Sequence, residues 1–173
     1  PEDVEPGLEE TTYFTPEGET YPFGTHIAVV EVDPDSGNIE FEKYVAVDDV
    51  GTQVNPKLVE GQIVGGVAQG VGQALYEGTE YDDNGNLLTG SFQDYAMPKA
   101  EYIPPVEWDY RETPTPNNPL GAKGVGEAGA IAAPPAVVNA VVDALTPFGV
   151  TNLDMPLTSE TVWRTIEDAE LDG

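Results

Sequence analysis

The stretch from Asn55 to Leu75 constrains the fold more than any other part of the chain, because a helical pattern there is filled with glycine. Asn55 is a favourable N-cap and Pro56 suits the first helical position. Apolar residues recur every fourth position and so share one helical face: Val59, Ile63, Val67, Val71 and Leu75. Glycines at 61, 65, 66, 70 and 72 fall inside this helix. At roughly 1 kcal/mol each relative to alanine, they cost about 5 kcal/mol, which approaches the whole stability of a small domain. We therefore expect close tertiary contacts on the glycine side.

A second stripe on this helix is polar. Gln62, Gly66, Gln69 and Gln73 are spaced by three or four residues and lie within one helical quadrant. Two interpretations stay open. The helix packs over a sheet through its glycines, or the glutamine amides, which both donate and accept hydrogen bonds, hold a cofactor.

A second glycine-rich stretch, residues 121–129, carries Lys123 and Glu127 and no large side chain. Glycine allows positive φ and a close approach of the backbone to another molecule. A carboxylate on such a loop, followed by the apolar run 130–133, can be shielded from water and suits proton transfer near neutral pH. The alternative is an ordinary flexible loop.

The remaining patterns predict an α+β fold: a mixed or antiparallel sheet of short strands, two main helices and a short C-terminal helix. Residues 26–32 and 39–47 are predicted to form a hairpin around the turn 33–38. Residues 106–111 and 150–153 are further predicted strands. We expect a short helical turn over 129–133, then a separate helix over 136–145 that Pro135 starts, and a last helix that Thr158 or Ser159 caps. The helix near 56–78 should run under the glycine loop, so that Gln62 and Glu127 face a common cleft.

Residues 1–22 are rich in acids, Pro and Thr and predict a poorly ordered lead-in, so we place the domain at 23–173. The chain does not begin with methionine, and we expect it to be a fragment of a longer protein. His26 is the only histidine. A metal or catalytic role is open to it, but a structural histidine with satisfied hydrogen bonds is the simpler prediction.

The charge balance excludes several partners. Lys and Arg number 6 against 32 Asp and Glu, a formal net charge of −26. Nucleic-acid binding and attachment to anionic membrane surfaces both need clusters of basic residues. This chain has no such cluster, so both kinds of partner are excluded. No apolar run approaches a membrane span, and the absence of cysteine excludes disulfides and thiolate metal ligands within this chain. At molar salt the Debye length falls to about 3 Å, which screens self-repulsion. The acidity therefore favours a haloarchaeal-type cytoplasm over an acidic tail, because the acids run from Glu2 to Asp172.

Several segments together resemble a known family. They are 47–56, 61–73, 91–98, 121–129 and 155–163. In order and spacing they resemble the C-terminal, second cofactor-binding region of the molybdenum hydroxylases, in the xanthine dehydrogenase and aldehyde oxidoreductase superfamily. The similarity is greatest to large subunits of the aerobic carbon monoxide dehydrogenase type. It covers roughly residues 24–167.

The resemblance implies a function and site residues. The chain would form part of an oxidoreductase that oxidises its substrate with water-derived oxygen at a molybdopterin centre, with Glu127 as the base. The residues implied to lie against the cofactor are Gln62, Gly65, Gly66, Gln69, Lys123, Gly124, Val125 and Gly126. None is implied to ligate the metal. Lys123 would hold Glu127 ionised; its alternative is a surface lysine.

The family also implies cofactors and partners. The cofactor would be molybdopterin, as the cytosine dinucleotide, with molybdenum. The partners would be the rest of the large subunit, an iron–sulfur small subunit and an FAD medium subunit, in a cytoplasmic dimer of heterotrimers. In the carbon monoxide branch a copper ion binds the gas, but the cysteine-bearing loop of that branch would lie upstream of this chain. Carbon monoxide, an aldehyde, a purine and another heterocycle all remain open as substrates.

Two other functions remain open. The first is a noncatalytic assembly domain of the same fold that binds a partner subunit. The second is a free-standing acidic binding module.

Overall fold

A computed structural model describes residues 7–172 of the chain. It contains a three-stranded sheet in the order β1 (Phe23–Val32), β2 (Ile39–Asp49), β3 (Val106–Arg111). β1 and β2 pair antiparallel, whereas β2 and β3 pair parallel. Three helices accompany the sheet: α1 (Pro56–Leu75), α2 (Ala128–Ala144) and α3 (Ser159–Asp172). The predicted α+β class, with a mixed sheet, two main helices and a short last helix, is confirmed.

The core lies between one face of the sheet and the helices. Tyr44 and Ala46 of β2 are fully buried and join the apolar stripe of α1 and the inner positions of α2. The α1 stripe is the predicted one, with Val59, Ile63, Val67, Val71 and Leu75 all buried. Asn55 caps α1 as predicted, because its side chain accepts a hydrogen bond from the Leu58 N–H at 3.3 Å.

The two main helices touch through glycine. A Cβ at Gly66 would lie 2.7 Å from Ala130 N and 2.8 Å from Gly129 Cα. A Cβ at Gly129 would collide with the Ile63 carbonyl oxygen. One turn further along α1, Gly70 meets Ala133 and Pro134 in the same way. The packing interpretation of the glycine-rich helix is therefore confirmed at these positions, but the partner is α2 rather than the sheet.

Two predicted elements were wrong. α2 begins at Ala128, not at Pro135, and contains Pro134 and Pro135 in its interior. Proline removes a helical hydrogen bond, and the close packing of this first part of α2 on α1 offsets the loss. Residues 150–153 form no strand. The hairpin turn, in contrast, closes as predicted, with the Asp33 N–H donating to the Asn38 carbonyl at 2.9 Å.

The lead-in predicted at 1–22 is described only in part, since residues 1–6 lie outside the described residues. Residues 7–22 contain no helix or strand and their side chains are mostly exposed. One contact joins them to the body of the chain, because Asn117 Nδ2 donates to the Glu19 carbonyl at 2.6 Å.

Neighbouring glycines of α1 should respond oppositely to alanine. Gly66→Ala should lower the free energy of unfolding by about 1–3 kcal/mol, because its methyl group meets backbone atoms of α2 that have little room to move. Gly65→Ala is the matched control. It has no atom within 4 Å of the added Cβ and should raise stability by about 1 kcal/mol through helix propensity. Denaturant unfolding of both variants measures the difference. Equal effects would show that the helix contact is not tight.

Candidate functional site

The glycine-rich loop 121–129 begins beside the end of β2. Gly51 and Ala122 form an isolated antiparallel bridge. The Thr52 N–H donates to the Gly121 carbonyl at 3.1 Å, and the Lys123 N–H donates to the Val50 carbonyl at 2.8 Å. Gly51 and Gly121 both have positive φ, of 65° and 69°, which glycine adopts without strain. The loop before α2 is thereby joined to the central strand of the sheet.

A buried ion pair reinforces this junction. Lys123 Nζ lies 3.0 Å from Asp49 Oδ1, and the two side chains are only 8% and 2% exposed. The same oxygen accepts the N–H of Gly51 at 3.0 Å and of Thr113 at 3.1 Å. The second oxygen, Oδ2, is buried and has no hydrogen-bond partner among the described residues. Burial alone would raise the pKa of the Asp49 carboxyl, but the hydrogen bonds from Thr113, Gly51 and Lys123 hold that pKa well below its usual range.

This ion pair changes the interpretation of Lys123. The alternative of a surface lysine is wrong, because the side chain is buried. The role inferred from the resemblance, holding Glu127 ionised, is also not what the structure shows, since the ammonium is engaged with Asp49. The Phe23 ring covers the same ammonium, with its centroid 4.5 Å from Nζ.

Glu127 stands at the start of α2. It occupies the N-cap position, and its side chain makes no capping hydrogen bond. Its carbonyl accepts the N–H groups of Ala130 at 2.9 Å and Ile131 at 3.0 Å. The side chain is exposed, so the described residues do not supply the shielding from water that the sequence led us to expect.

Gln62 lies beside the place where α2 meets α1. Its neighbour Ile63 contacts Gly129, which is two residues after Glu127. Gln62 is exposed, like Glu127. Gln62 and Glu127 thus each lie within two residues of the contact between α1 and α2, and both are exposed.

Four glycines near this junction have open space above them. A Cβ placed at Gly61, Gly65, Gly124 or Gly126 would have no atom within 4 Å outside its immediate neighbours. Nothing in the described chain therefore requires glycine at these positions. Gly66 differs, because it is buried against α2, and the structure gives it a packing role.

Gln69 lies further along α1 and lines a different feature. It borders a groove of about 740 Å³, together with Ala68, Glu77, Met97, Pro98, Ala100 and Ile103. Seven residues of helix place it about 10 Å along the axis from Gln62. Val125 is half-buried on the glycine loop and packs against the core.

His26 has the structural environment that the simpler prediction gave it. Nδ1 lies 2.9 Å from the Tyr44 hydroxyl, and Nε2 lies 3.3 Å from Asp48 Oδ2. Burial, followed by the charge of Asp48, raises the pKa of Tyr44 above its usual range. Both nitrogens of the ring have partners, which favours a structural histidine.

Residues 7–172 contain neither a cluster of metal-ligating side chains nor a helix suited to crossing a membrane. No three His, Asp or Glu side chains are grouped so that they could hold a metal ion. None of the helices in that range has both the length and the apolar character needed to cross a membrane.

Sequence reasoning missed Asp49 as part of this region. The available signal was the pair Asp48-Asp49 at the end of an apolar strand, because carboxylates that are buried in this way need partners. Without the fold, nothing indicated that one partner would be Lys123, 74 residues further along the chain.

Comparison with known proteins gives a consistent result. Residues 3–104 match the model of the family described as molybdopterin cofactor-binding domain. The chain is 42% identical over 171 residues to the carbon monoxide dehydrogenase large chain of Hydrogenophaga pseudoflava, covering 99% of this chain and 21% of that protein. It is 46% identical over 164 residues to the nicotine 6-hydroxylase large subunit of Paenarthrobacter nicotinovorans, covering 95% of this chain and 20% of that protein.

A solved structure shares the fold. Reconstituted CO dehydrogenase from Oligotropha carboxidovorans superposes with a TM-score of 0.91 at 38% identity, over 100% of this chain and 22% of the solved chain. The present chain therefore spans about a fifth of the length of the relatives it matches.

The buried ion pair predicts a pH-dependent effect of Asp49→Asn. Removing one partner of a buried pair leaves the Lys123 ammonium uncompensated, at a cost of about 3–5 kcal/mol. Because the folded state lowers the pKa of Asp49, its contribution is present above the unfolded pKa, about 3.9, and is lost as the pH falls toward the folded value. The stability difference between parent and variant should therefore be largest above about pH 4 and shrink in acid. Denaturant unfolding between pH 3 and 7 measures it; a difference that grows in acid would contradict the assignment.

Proposed function

Because the chain belongs to the molybdopterin cofactor-binding domain family, we propose that it forms one wall of the active site in the large subunit of a molybdenum-dependent oxidoreductase. The rest of the large subunit completes the site. Within this wall Glu127 is the active-site base, and Gln62 is the amide that binds the pterin. The single observation that supports the proposal is that four glycines close in sequence to Gln62 and Glu127, at 61, 65, 124 and 126, have open space at their Cβ positions, while both side chains are exposed.

Glycines with open space at their Cβ positions allow a large, flat cofactor to lie against the backbone. Glycine costs helix stability at 61 and 65, and no contact within the described chain accounts for that cost. A cofactor that lies directly on the helix backbone would explain the cost of glycine at 61 and 65, because a Cβ at these positions would occupy the space that the cofactor needs. Gly124 and Gly126 give the same freedom on the loop side, next to Glu127. The residues present therefore fit the cofactor.

Apolar side chains on the same surface support burial in the complete protein. Leu58 precedes Gln62 by one helical turn and is 67% exposed. Ile131 follows Glu127 by one turn and is 65% exposed. Residues one turn apart share a helix face, so each polar residue of the proposed site has a large uncovered apolar neighbour. Such grouped exposure is typical of a surface that another part of a protein covers.

Glu127 is suited to take a proton from the water that supplies the oxygen atom. A base must lie within hydrogen-bond distance of the proton it removes. The Glu127 carboxylate makes no capping hydrogen bond and has small residues beside it, so it can approach the reacting molecule closely. Molybdopterin supplies the redox chemistry, and the protein supplies position and electrostatics. When the rest of the subunit covers this surface, exclusion of water strengthens the influence of the carboxylate on the reacting atoms.

The other parts of the proposal follow from the family. Gln62, Gly65, Gly124, Val125 and Gly126 form the cofactor side of the wall, and Gln69 extends it toward the groove along α1. We assign residues 23–173 to the cofactor-binding domain and residues 1–22 to the lead-in. The cofactor is the cytosine dinucleotide form of molybdopterin. Iron–sulfur and FAD subunits take the electrons onward in a cytoplasmic dimer of heterotrimers.

Glu127→Gln in the full-length enzyme should abolish turnover while molybdenum remains bound, because the amide cannot accept the proton but keeps the shape. Activity toward carbon monoxide, nicotine, an aldehyde and a purine, normalised to molybdenum content, measures this. Glu167→Gln on α3 is the matched control and should leave the activity unchanged. Retained turnover in Glu127→Gln would reject the base. A fully assembled parent complex without molybdenum would instead support the noncatalytic assembly domain.

The acidity supports a second part of the proposal, an adaptation to high salt of the haloarchaeal type. With a formal net charge of −26, self-repulsion destabilises the compact state unless ions screen it. The thermal midpoint of the protein should therefore rise as KCl increases from 0.1 M to 2 M. It should rise somewhat less for a variant in which the exposed acids Glu167, Asp168 and Glu170 of α3 become glutamine or asparagine, because the net charge is then smaller. A midpoint that is independent of salt would contradict the adaptation.

A further inference from the structure

Asp49 and Lys123 do more than fill a buried site, because they hold one end of the segment that carries Glu127. Asp49 is the last residue of β2, the central strand of the sheet. Lys123 lies four residues before Glu127. The ion pair at 3.0 Å and the Lys123 N–H bond to Val50 at 2.8 Å join the loop to that strand.

The other end of the segment is held by helix packing. Gly129, two residues after Glu127, is pressed against Ile63 and Gly66 of α1. Between the two attachments, Gly124 and Gly126 have no atom near their Cβ positions, and the Glu127 side chain makes no capping hydrogen bond. Packing within the described chain therefore does little to fix the Glu127 side chain directly, and the segment is held by its two ends and by Val125, which packs against the core.

We propose that Asp49 and Lys123 are positioning residues, which fix the glycine loop so that the Glu127 carboxylate is presented at the proper place and angle. This inference rests on the proposed role of Glu127. Small displacements of a catalytic group are costly, since a shift of about 1 Å can lower a rate about 100-fold. A buried charge pair is suited to the task, because alternative positions of the lysine would leave a charge unpaired in a dry environment.

The test uses two variants of the full-length enzyme, together with a control. Lys123→Met removes the side-chain part of the attachment and leaves the Asp49 charge unpaired, while the backbone bond from residue 123 to Val50 remains. The double variant Asp49→Asn/Lys123→Met removes the same ion pair and leaves no buried charge. Lys43→Met, which breaks the exposed pair of Lys43 with Glu107 at 2.9 Å, is the control.

Positioning predicts that both test variants lose at least tenfold in kcat per bound molybdenum, with KM little changed. It also predicts at least tenfold faster hydrogen exchange of the amides in residues 121–127, while exchange in α3 stays at the parent rate. The control should match the parent in every measurement. The exchange readout depends on loop order alone and reports local opening rather than global unfolding.

Several results would overturn the inference. Recovery of kcat and exchange in the double variant would show that the single substitution acts only through its unpaired charge. Faster exchange in α3 to the same degree, or failure of the double variant to fold and load molybdenum, would show a general structural role. Loop exchange that rises without a change in kcat would separate the loop from catalysis. If the Glu127→Gln enzyme remains active, the proposed role of Glu127 as the base is rejected, and this result is distinct from those that test the positioning role of Asp49 and Lys123.

Discussion

The contact between α1 and α2 through glycine is the constraint on which the rest of the structure depends. Gly66 and Gly129 bring two helix backbones closer than any residue with a Cβ would allow. This approach sets the starting point of α2 and so the place of Glu127. It also explains why α2 can carry two prolines in its interior, because tertiary packing offsets the hydrogen bonds that they remove.

Four of the five glycines of α1 divide into two classes with different causes, and the fifth, Gly72, packs against Glu77 and Pro98. Glycine is required at 66 and 70 because α2 lies against these positions, whereas Gly61 and Gly65 face open space. The first class allows the close contact between the helices, and under the proposed function the second marks a surface that the cofactor covers. Both classes occur on one helix, and Gly66 lies within the glutamine stripe itself. A domain that belongs to a larger catalytic subunit is expected to show this division, since its functional surface is an internal surface of the whole.

Local patterns predicted much of this architecture. Apolar residues at every fourth position, together with Asn55 and Pro56, were sufficient to predict α1. The turn-forming residues of 33–38 were sufficient to predict the hairpin. The early start of α2 was missed because proline normally begins or ends a helix, and only its partner α1 makes the interior positions tolerable. Gln62 and Glu127 were singled out by the glutamine stripe and the glycine-rich loop, and the roles predicted for them came from a family resemblance that covers most of the chain. The pairing of Asp49 with Lys123 depends on a contact across 74 residues, and although a carboxylate at the end of an apolar strand signals that it needs a partner, no local signal identifies Lys123 as that partner.

The most direct measurement of the central claim is a structure of the complete large subunit with its cofactor. The account predicts that the pterin lies over Gly61 and Gly65, within hydrogen-bond distance of the Gln62 amide, and that the Glu127 carboxylate points at the metal centre. A structure in which another polypeptide segment covers these glycines, with the cofactor bound elsewhere, would contradict it.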